Sequence, residues 1–230
     1  MIWRQADLKV RLYVSLCIVS VTFVEADLQV RLAAQAAGTQ SHGRLFPPQD
    51  LGLLESPDRD KWQQPDRIMD ALAIADGSTV ADIGAGAGWF TIRLARRVGP
   101  NGIVYSTDVQ RPMLEAIKRR VGREGLQNVQ TRLGTTTMAN LPARSIDAVL
   151  VVDVYDAVDV NDRVPFLRNL ATALKPGGRI GIVNYKPGQG GPGPDIRIDG
   201  PAVEADARAA VLRVLARQDL PYQYLLVLGR

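Results

Sequence analysis

Two hydrophobic periods alternate along most of this chain. Ile68, Leu72 and Ala75 share one face of a helix predicted from Pro65 to Ala75, with proline at its start. A short β-rich run, Thr79–Asp82, leads into a glycine cluster, after which Phe90, Leu94 and Val98 recur at helical spacing until Gly99-Pro100 stops them. The same pairing of strand and helix then repeats. Ile103–Thr107 reads as a strand ending at Asp108, and Leu114, Ile117 and Val121 line a helix over Pro112–Val121. Val129–Arg132 is a third strand. Ile146–Val152 is almost continuously apolar, the mark of a strand buried on both faces. Val164, Leu167, Leu170 and Leu174 line a further helix ended by Lys175-Pro176-Gly177-Gly178, and Arg179–Val183 is the fifth strand. Strand and helix in alternation predict an α/β, doubly wound sheet, mostly parallel, with helices on both faces.

The ends depart from this rhythm. Pro187–Pro201, rich in Gly and Pro, reads as a loop. A helix around Ala202–Val214 is expected to turn Ala207, Ala210, Val211 and Val214 inward. After a break at Pro221, Tyr222–Leu228 closes the chain, and the last segments are predicted to form an antiparallel C-terminal hairpin, seven strands in all. At the other end, Leu12–Val24 is uncharged behind Lys9 and Arg11, too short for a bilayer span of about 20 residues. With Ala34-Gln35-Ala36 behind it, residues 1–36 read as a leader, either an export signal or an uncleaved extension. Residues 37–64, broken by Pro47-Pro48 and Ser56-Pro57 and carrying Phe46 and Trp62, read as an irregular arm packed over the domain or as a lid. Residues 65–230 form the domain itself.

Composition narrows the chemistry. Lys and Arg number 28 against 24 Asp and Glu, a formal net charge of +4, far from a polybasic nucleic-acid arm. Arg93, Arg96 and Arg97 on one predicted helix, and Lys118, Arg119, Arg120 and Arg123 on another, read as solvated faces, with RNA binding the lesser alternative. The one cysteine, Cys17, and the one histidine, His42, both precede the domain. Disulfides, Cys/His zinc sites, thiol nucleophiles and Ser-His-Asp triads are thereby removed from it. Backbone, carboxylates, hydroxyls or a cofactor must do the work.

The glycine cluster follows the first strand and opens a helix, where backbone N–H groups and the helix dipole can face a ligand. Its spacing argues against a dinucleotide: G-x-G-x-x-G would need glycine at 89, which is Trp89, and the third glycine is Gly88. Asp82, two residues before Gly84, would repel a pyrophosphate and suits a cationic group. Asp82-Ile83-Gly84-Ala85-Gly86-Ala87-Gly88 resembles motif I of the class I S-adenosylmethionine-dependent methyltransferases, and the likeness runs over residues 65–230. Asp108 matches that family's acid for the ribose hydroxyls, and Val109 its apolar residue under the adenine. Leu141-Pro142 with Ser145-Ile146-Asp147-Ala148-Val149 resembles its entry to the fourth strand, and Leu174-Lys175-Pro176-Gly177-Gly178 its turn before the fifth. The resemblance implies a Rossmann-like fold, S-adenosyl-L-methionine as cofactor and a small-molecule methyl acceptor, of the type that includes the ubiquinone and menaquinone methyltransferases. It implies cofactor contacts from Asp82, Gly84, Ala85, Gly86, Gly88, Asp108, Val109, Thr135 and Asp153, with Met113 beside Val109 at the adenine.

This chain also departs from the family. Gly134-Thr135-Thr136 stands where Gly-Asp-Ala is frequent, so Thr135 offers the adenine only a hydroxyl. Val152-Asp153-Val154-Tyr155-Asp156 lacks the Asn/Asp-Pro-Pro-Tyr/Phe signature of amide N-methylation. Asp153 and Tyr155 are the expected proton-transfer residues, with Asp156 and Tyr185 as further acceptor contacts; a purely structural strand-end role for Asp153 is the alternative. Asp153, Asp156, Asp159 and Asp162 with Asn184 read as a solvated acidic loop rather than a magnesium site, and no metal is expected. A non-catalytic cofactor-binding or scaffold module is the rival function, and an RNA methyltransferase a further one. Cofactor supply points to the cytoplasm and the leader to export; no nucleic-acid partner and no membrane span are expected.

Overall fold

A computed structural model describes residues 45–47, 56–189 and 197–230. The leader and its signal reading lie outside the described residues, as does most of the arm. All the described residues belong to one compact unit, Gly43–Arg230. Two short helices, α1 (Arg59–Gln63) and α2 (Pro65–Ala71), precede β1 (Thr79–Ile83), α3 (Trp89–Val98), β2 (Ile103–Asp108), α4 (Arg111–Arg123) and β3 (Val129–Leu133). Then come β4 (Ile146–Val152), a single 3₁₀ turn (Tyr155–Ala157), α5 (Arg163–Ala173), β5 (Leu174–Tyr185), α6 (Gly200–Ala209), β6 (Arg213–Asp219) and β7 (Gln223–Gly229).

The strands form one sheet in the order β3-β2-β1-β4-β5-β7-β6. The first five are parallel, and β7 runs antiparallel to both β5 and β6, as the α/β reading with a terminal hairpin expects. Alternate strand residues feed two cores. Val149 and Val151 of β4 join Phe166, Leu167 and Leu170 of α5 and Val203 and Ala207 of α6. Ala148 and Leu150 of the same strand join Ile68 of α2, Leu72 just beyond it, and Phe90, Leu94 and Val98 of α3. A strand with apolar partners on both faces cannot alternate with polar residues, which is why β4 reads as a solid apolar run.

Four expectations are corrected. The arm is not irregular throughout, since α1 occupies Arg59–Gln63. Helix α2 stops at Ala71 rather than Ala75, where Ala73 adopts a positive φ. The Pro176-Gly177-Gly178 turn lies inside β5: Leu174 already pairs with Ile146, and the three residues bulge out before Arg179 pairs with Ala148. The last helix ends at Ala209 rather than Val214. Its start is capped by Asp199, whose carboxylate accepts the Ala202 N–H at 2.9 Å. Val211, expected inward, is 81% exposed at a positive φ of 63°, and Val214 belongs to β6.

Asp147 ties down the start of β4. Its Oδ2 accepts the Thr79 N–H at the start of β1 at 2.8 Å and Lys175 Nζ at the start of β5 at 2.7 Å. One carboxylate thus sets the register of three strands at the edge opposite the glycine cluster. Replacing Asp147 by Ala is expected to cost about 1–2 kcal/mol in urea unfolding, the lower end for a charged hydrogen bond because the pair is partly solvated. An unchanged midpoint would show that packing alone sets the register.

Candidate functional site

In a sheet ordered 3-2-1-4-5, connections leave β1 and β4 in opposite directions, so a crevice opens at their carboxyl ends. The glycine cluster occupies that crevice. Gly84, Gly86 and Gly88 all have positive φ, and the Ala85 N–H donates to the Thr107 carbonyl at 3.0 Å. At Gly84 a Cβ would run into the Val154 side chain, so close approach as well as φ demands glycine. The loop is thereby pressed against the residues beyond the end of β4.

Two acids flank it. Asp82 of β1 is 3% exposed, and its Oδ2 accepts Thr91 Oγ1–H from α3 at 2.6 Å. Since the Thr91 proton is spent there, Ser106 of β2, 2.8 Å away, donates to Thr91. Asp108 closes β2; its Oδ2 accepts the Gly86 N–H at 3.1 Å and its Oδ1 the Gln110 N–H at 2.9 Å. Burial pushes the Asp82 carboxyl up to about 6, against the Thr91 hydrogen bond and the Arg59 charge. Burial also raises Asp108, against its backbone hydrogen bonds.

A third acid, Asp153, follows β4 in a left-handed conformation, φ 56°. Its N–H donates to the Val183 carbonyl at 2.9 Å, and its Oδ1 accepts Gln223 Nε2–H at 2.6 Å. Burial pushes its carboxyl up to about 7, with Asp156 adding to the rise and Arg59 opposing it. Arg59 comes from α1. Its guanidinium lies 4.2 Å from the centre of the Trp89 ring, and Trp62 of the same helix packs 5.9 Å from Tyr185 and 6.2 Å from Tyr222. At the opposite end, Gln110 Nε2–H donates to the Phe46 carbonyl at 3.1 Å. The described parts of the arm therefore rest on both ends of the crevice.

Of the sequence-predicted residues, Asp82, Gly84, Ala85, Gly86, Gly88, Asp108 and Asp153 gather here. Val109 is 38% exposed beside Asp108, whereas Met113 is 1% exposed. Thr135 is exposed, and its Oγ1 accepts the Met138 N–H at 3.1 Å, stabilising its own turn. Tyr155 does not join the site. It is fully buried against Phe166, and its hydroxyl donates to Asp206 of α6 at 3.0 Å; burial and Asp206 push it far above the ordinary tyrosine value. Among the described residues no three His, Cys, Asp or Glu converge as metal ligands, and Asp159 instead accepts from Asn161. Thr91, Ser106, Arg59, Gln63 and Gln223 escaped the sequence reading. The only signals were a Thr in the buried first turn of a helix, a Ser in an apolar strand and a Gln opening the last one.

The raised acids have a consequence for folding. Asp82 and Asp153 bind protons more tightly in the folded chain than at the ordinary 3.8, so their contribution is most favourable below that value and is lost as pH rises through about 6 and about 7. Resistance to urea is therefore expected to fall between roughly pH 4 and pH 7, and Asp153→Asn to flatten that slope. An Asp153→Asn protein with the parent slope would contradict the assignment.

Buried acids crowded on one rim, with Arg59 the cation acting on both Asp82 and Asp153, suit a ligand that carries positive charge. Comparison with known proteins agrees. Residues 80–178 match the family described as a methyltransferase domain. The chain is 31% identical over 118 residues to aklanonic acid methyltransferase DauC of Streptomyces sp. (strain C5), covering 51% of this chain and 53% of that one. It is 33% identical over 125 residues to the ubiquinone/menaquinone biosynthesis C-methyltransferase UbiE of Pasteurella multocida, covering 51% and 43%. It thus spans about half the length of the curated relatives it matches. A crystal structure of a SAM-dependent methyltransferase from Aquifex aeolicus superposes with a TM-score of 0.74 at 25% identity, covering 80% of this chain and 98% of that one. With motif I at the sheet's switch point and an acid closing β2, residues 80–178 match a methyltransferase domain, and the chain is similar in sequence and fold to S-adenosyl-L-methionine-dependent methyltransferases.

Proposed function

We propose that this protein transfers a methyl group from S-adenosyl-L-methionine to a small-molecule acceptor by in-line displacement. The observation that carries the reading is the pairing of Asp108 with the glycine loop: its carboxylate grips the Gly86 N–H while standing at the crevice rim. When bound, the cofactor supplies an activated methyl on a positively charged sulfur. The residues of the chain do the rest. Gly84, Ala85, Gly86 and Gly88 let the backbone approach the cofactor's methionine part. Each Asp108 oxygen, with one lone pair given to a backbone N–H, has another for a ribose hydroxyl. Val109 offers an apolar surface to the adenine and Thr135 a hydroxyl proton. Asp82, held in one orientation by Thr91 and Ser106, supplies negative charge from below.

Methylation of a neutral acceptor leaves one proton to remove. Asp153 suits that role, since its carboxyl, near 7, lies close to the working pH of a general base. With Oδ1 engaged by Gln223, Oδ2 is the oxygen that takes the proton. Tyr185, 6% exposed and acted on by the Asp153 charge, forms a wall beside it. We assign Tyr155 no part in the chemistry, because its hydroxyl is committed to Asp206 inside the core. The acceptor is read as a small molecule and not RNA because the basic residues of α3 are paired: Arg93 with Asp60, Arg96 with Glu124 and Arg97 with Asp70.

Asp108→Ala is expected to weaken S-adenosyl-L-methionine binding by about 1.5–3 kcal/mol in calorimetry, through loss of charge-assisted acceptors. An unchanged Kd would move the ribose site elsewhere. Gly86→Val is expected to abolish binding and methyl transfer together while the protein stays folded, because a branched side chain at a φ of 54° is strained and stands where the cofactor must approach. Retention of cofactor affinity would overturn the placement. The acceptor itself is found by incubating a cell extract with isotopically labelled cofactor and searching by mass spectrometry for metabolites that gain one methyl.

A further inference from the structure

A continuous hydrogen-bond chain crosses from the arm to the proposed base. Arg59 Nε–H donates to Gln63 Oε1 at 2.9 Å, Gln63 Nε2–H to Gln223 Oε1 at 2.5 Å, and Gln223 Nε2–H to Asp153 Oδ1 at 2.6 Å. Gln63 and Gln223 are each fully buried, so neither amide can exchange these partners for water. Polarity fixes both orientations. Reversing Gln63 would set its NH₂ against the guanidinium, and reversing Gln223 would set its carbonyl against the carboxylate. The chain joins residues 160 apart in sequence, from α1 to β7, and then returns 70 residues to the end of β4. A buried pair of glutamines serves packing poorly, since each must satisfy an amide in a low-dielectric interior. Their alignment between a cation and an anion gives that cost a use.

We propose that Gln63 and Gln223 are positioning residues that hold the Asp153 carboxylate and make the docking of α1 a condition of its state. The proposal rests on the reading of Asp153 as the proton acceptor. Asp153 sits at a positive φ outside the strand ladder, so its side chain depends on such partners for orientation. The groups that face it are Arg59 of α1, Asp156 of the following turn, Tyr185 of β5 and Gln223 of β7. Only Arg59 and Gln223 favour its ionised form, and the chain links these two. Removing one link takes a donor from the carboxylate or releases the guanidinium that orients the donor. In both cases proton affinity rises.

The test is a carbon-13 NMR titration of the full-length protein with labelled aspartate, the Asp153 carboxyl signal being identified by its loss in Asp153→Asn. Gln223→Leu is expected to raise the Asp153 midpoint by about one pH unit, roughly tenfold in proton affinity. Gln63→Leu, one link further away on a short peripheral helix, is expected to raise it by less and in the same direction, and it decides the matter should Gln223→Leu fail to fold. The rising limb of kcat against pH is expected to follow the NMR midpoint in both variants. A Gln63→Leu protein whose Asp153 titrates as in the parent would overturn the proposal. Midpoints that move while Asp153→Asn methylates at the parent rate would leave the chain standing and refute the base instead.

Discussion

Five parallel strands deliver their carboxyl ends to one edge of the sheet, and at the β1–β4 junction no crossover covers that edge. Everything distinctive about this molecule stems from the demands of that junction. Backbone groups leaving the ladder need partners, and the short connection from β1 to α3 must turn tightly in the space beside β4. The contact of Gly84 with Val154 shows how little space that is. Three acids at the ends of β1, β2 and β4 satisfy the nearby N–H and O–H donors.

Concentrating carboxylates in a crevice has an electrostatic cost, visible in the upward shifts of Asp82, Asp108 and Asp153. The protein offsets it in three ways. Thr91 and Ser106 form a buried hydroxyl pair under Asp82. Backbone N–H groups of Gly86 and Gln110 serve Asp108. Arg59, carried in by α1 and laid on the Trp89 ring, acts on Asp82 and Asp153 from outside the sheet. A cationic ligand would complete the compensation, so the same arrangement that burdens the crevice with like charge favours a sulfonium within it. The arm thus enters the physics of the site and is more than a cover.

Much of this was legible in the chain itself. The apolar run Ile146–Val152 names the central strand to the residue, because burial on both faces leaves no other composition possible. The spacing of Gly84, Gly86 and Gly88, with Asp82 before them and Asp108 closing the next strand, identifies the crevice, since backbone conformation and charge at a tight turn are local demands. Errors came where distant partners decide. Lys175-Pro176-Gly177-Gly178 carries the composition of a turn, yet Ile146 across the sheet recruits Leu174 and converts the turn into a bulge. Val211 and Val214 fit a helical face, but β7 supplies a strand partner and the chain leaves the helix early. Tyr155 stands two residues from Asp153 and looks like its companion; the 3₁₀ turn directs it into the core towards Asp206.

What the sequence determined by itself was therefore the alternation of elements, the parallel sheet and the acid-flanked glycine loop, each set by neighbours a few residues away. Tertiary structure alone decided which polar residues serve those acids. Thr91, Ser106, Arg59, Gln63 and Gln223 carry no local pattern, because a hydrogen bond constrains two atoms in space and leaves no periodic trace in the chain. The two glutamines that link Arg59 to Asp153 lie on α1 and β7, 160 residues apart, and they meet only because the C-terminal hairpin brings β7 against β5 and the arm helix closes over their ends.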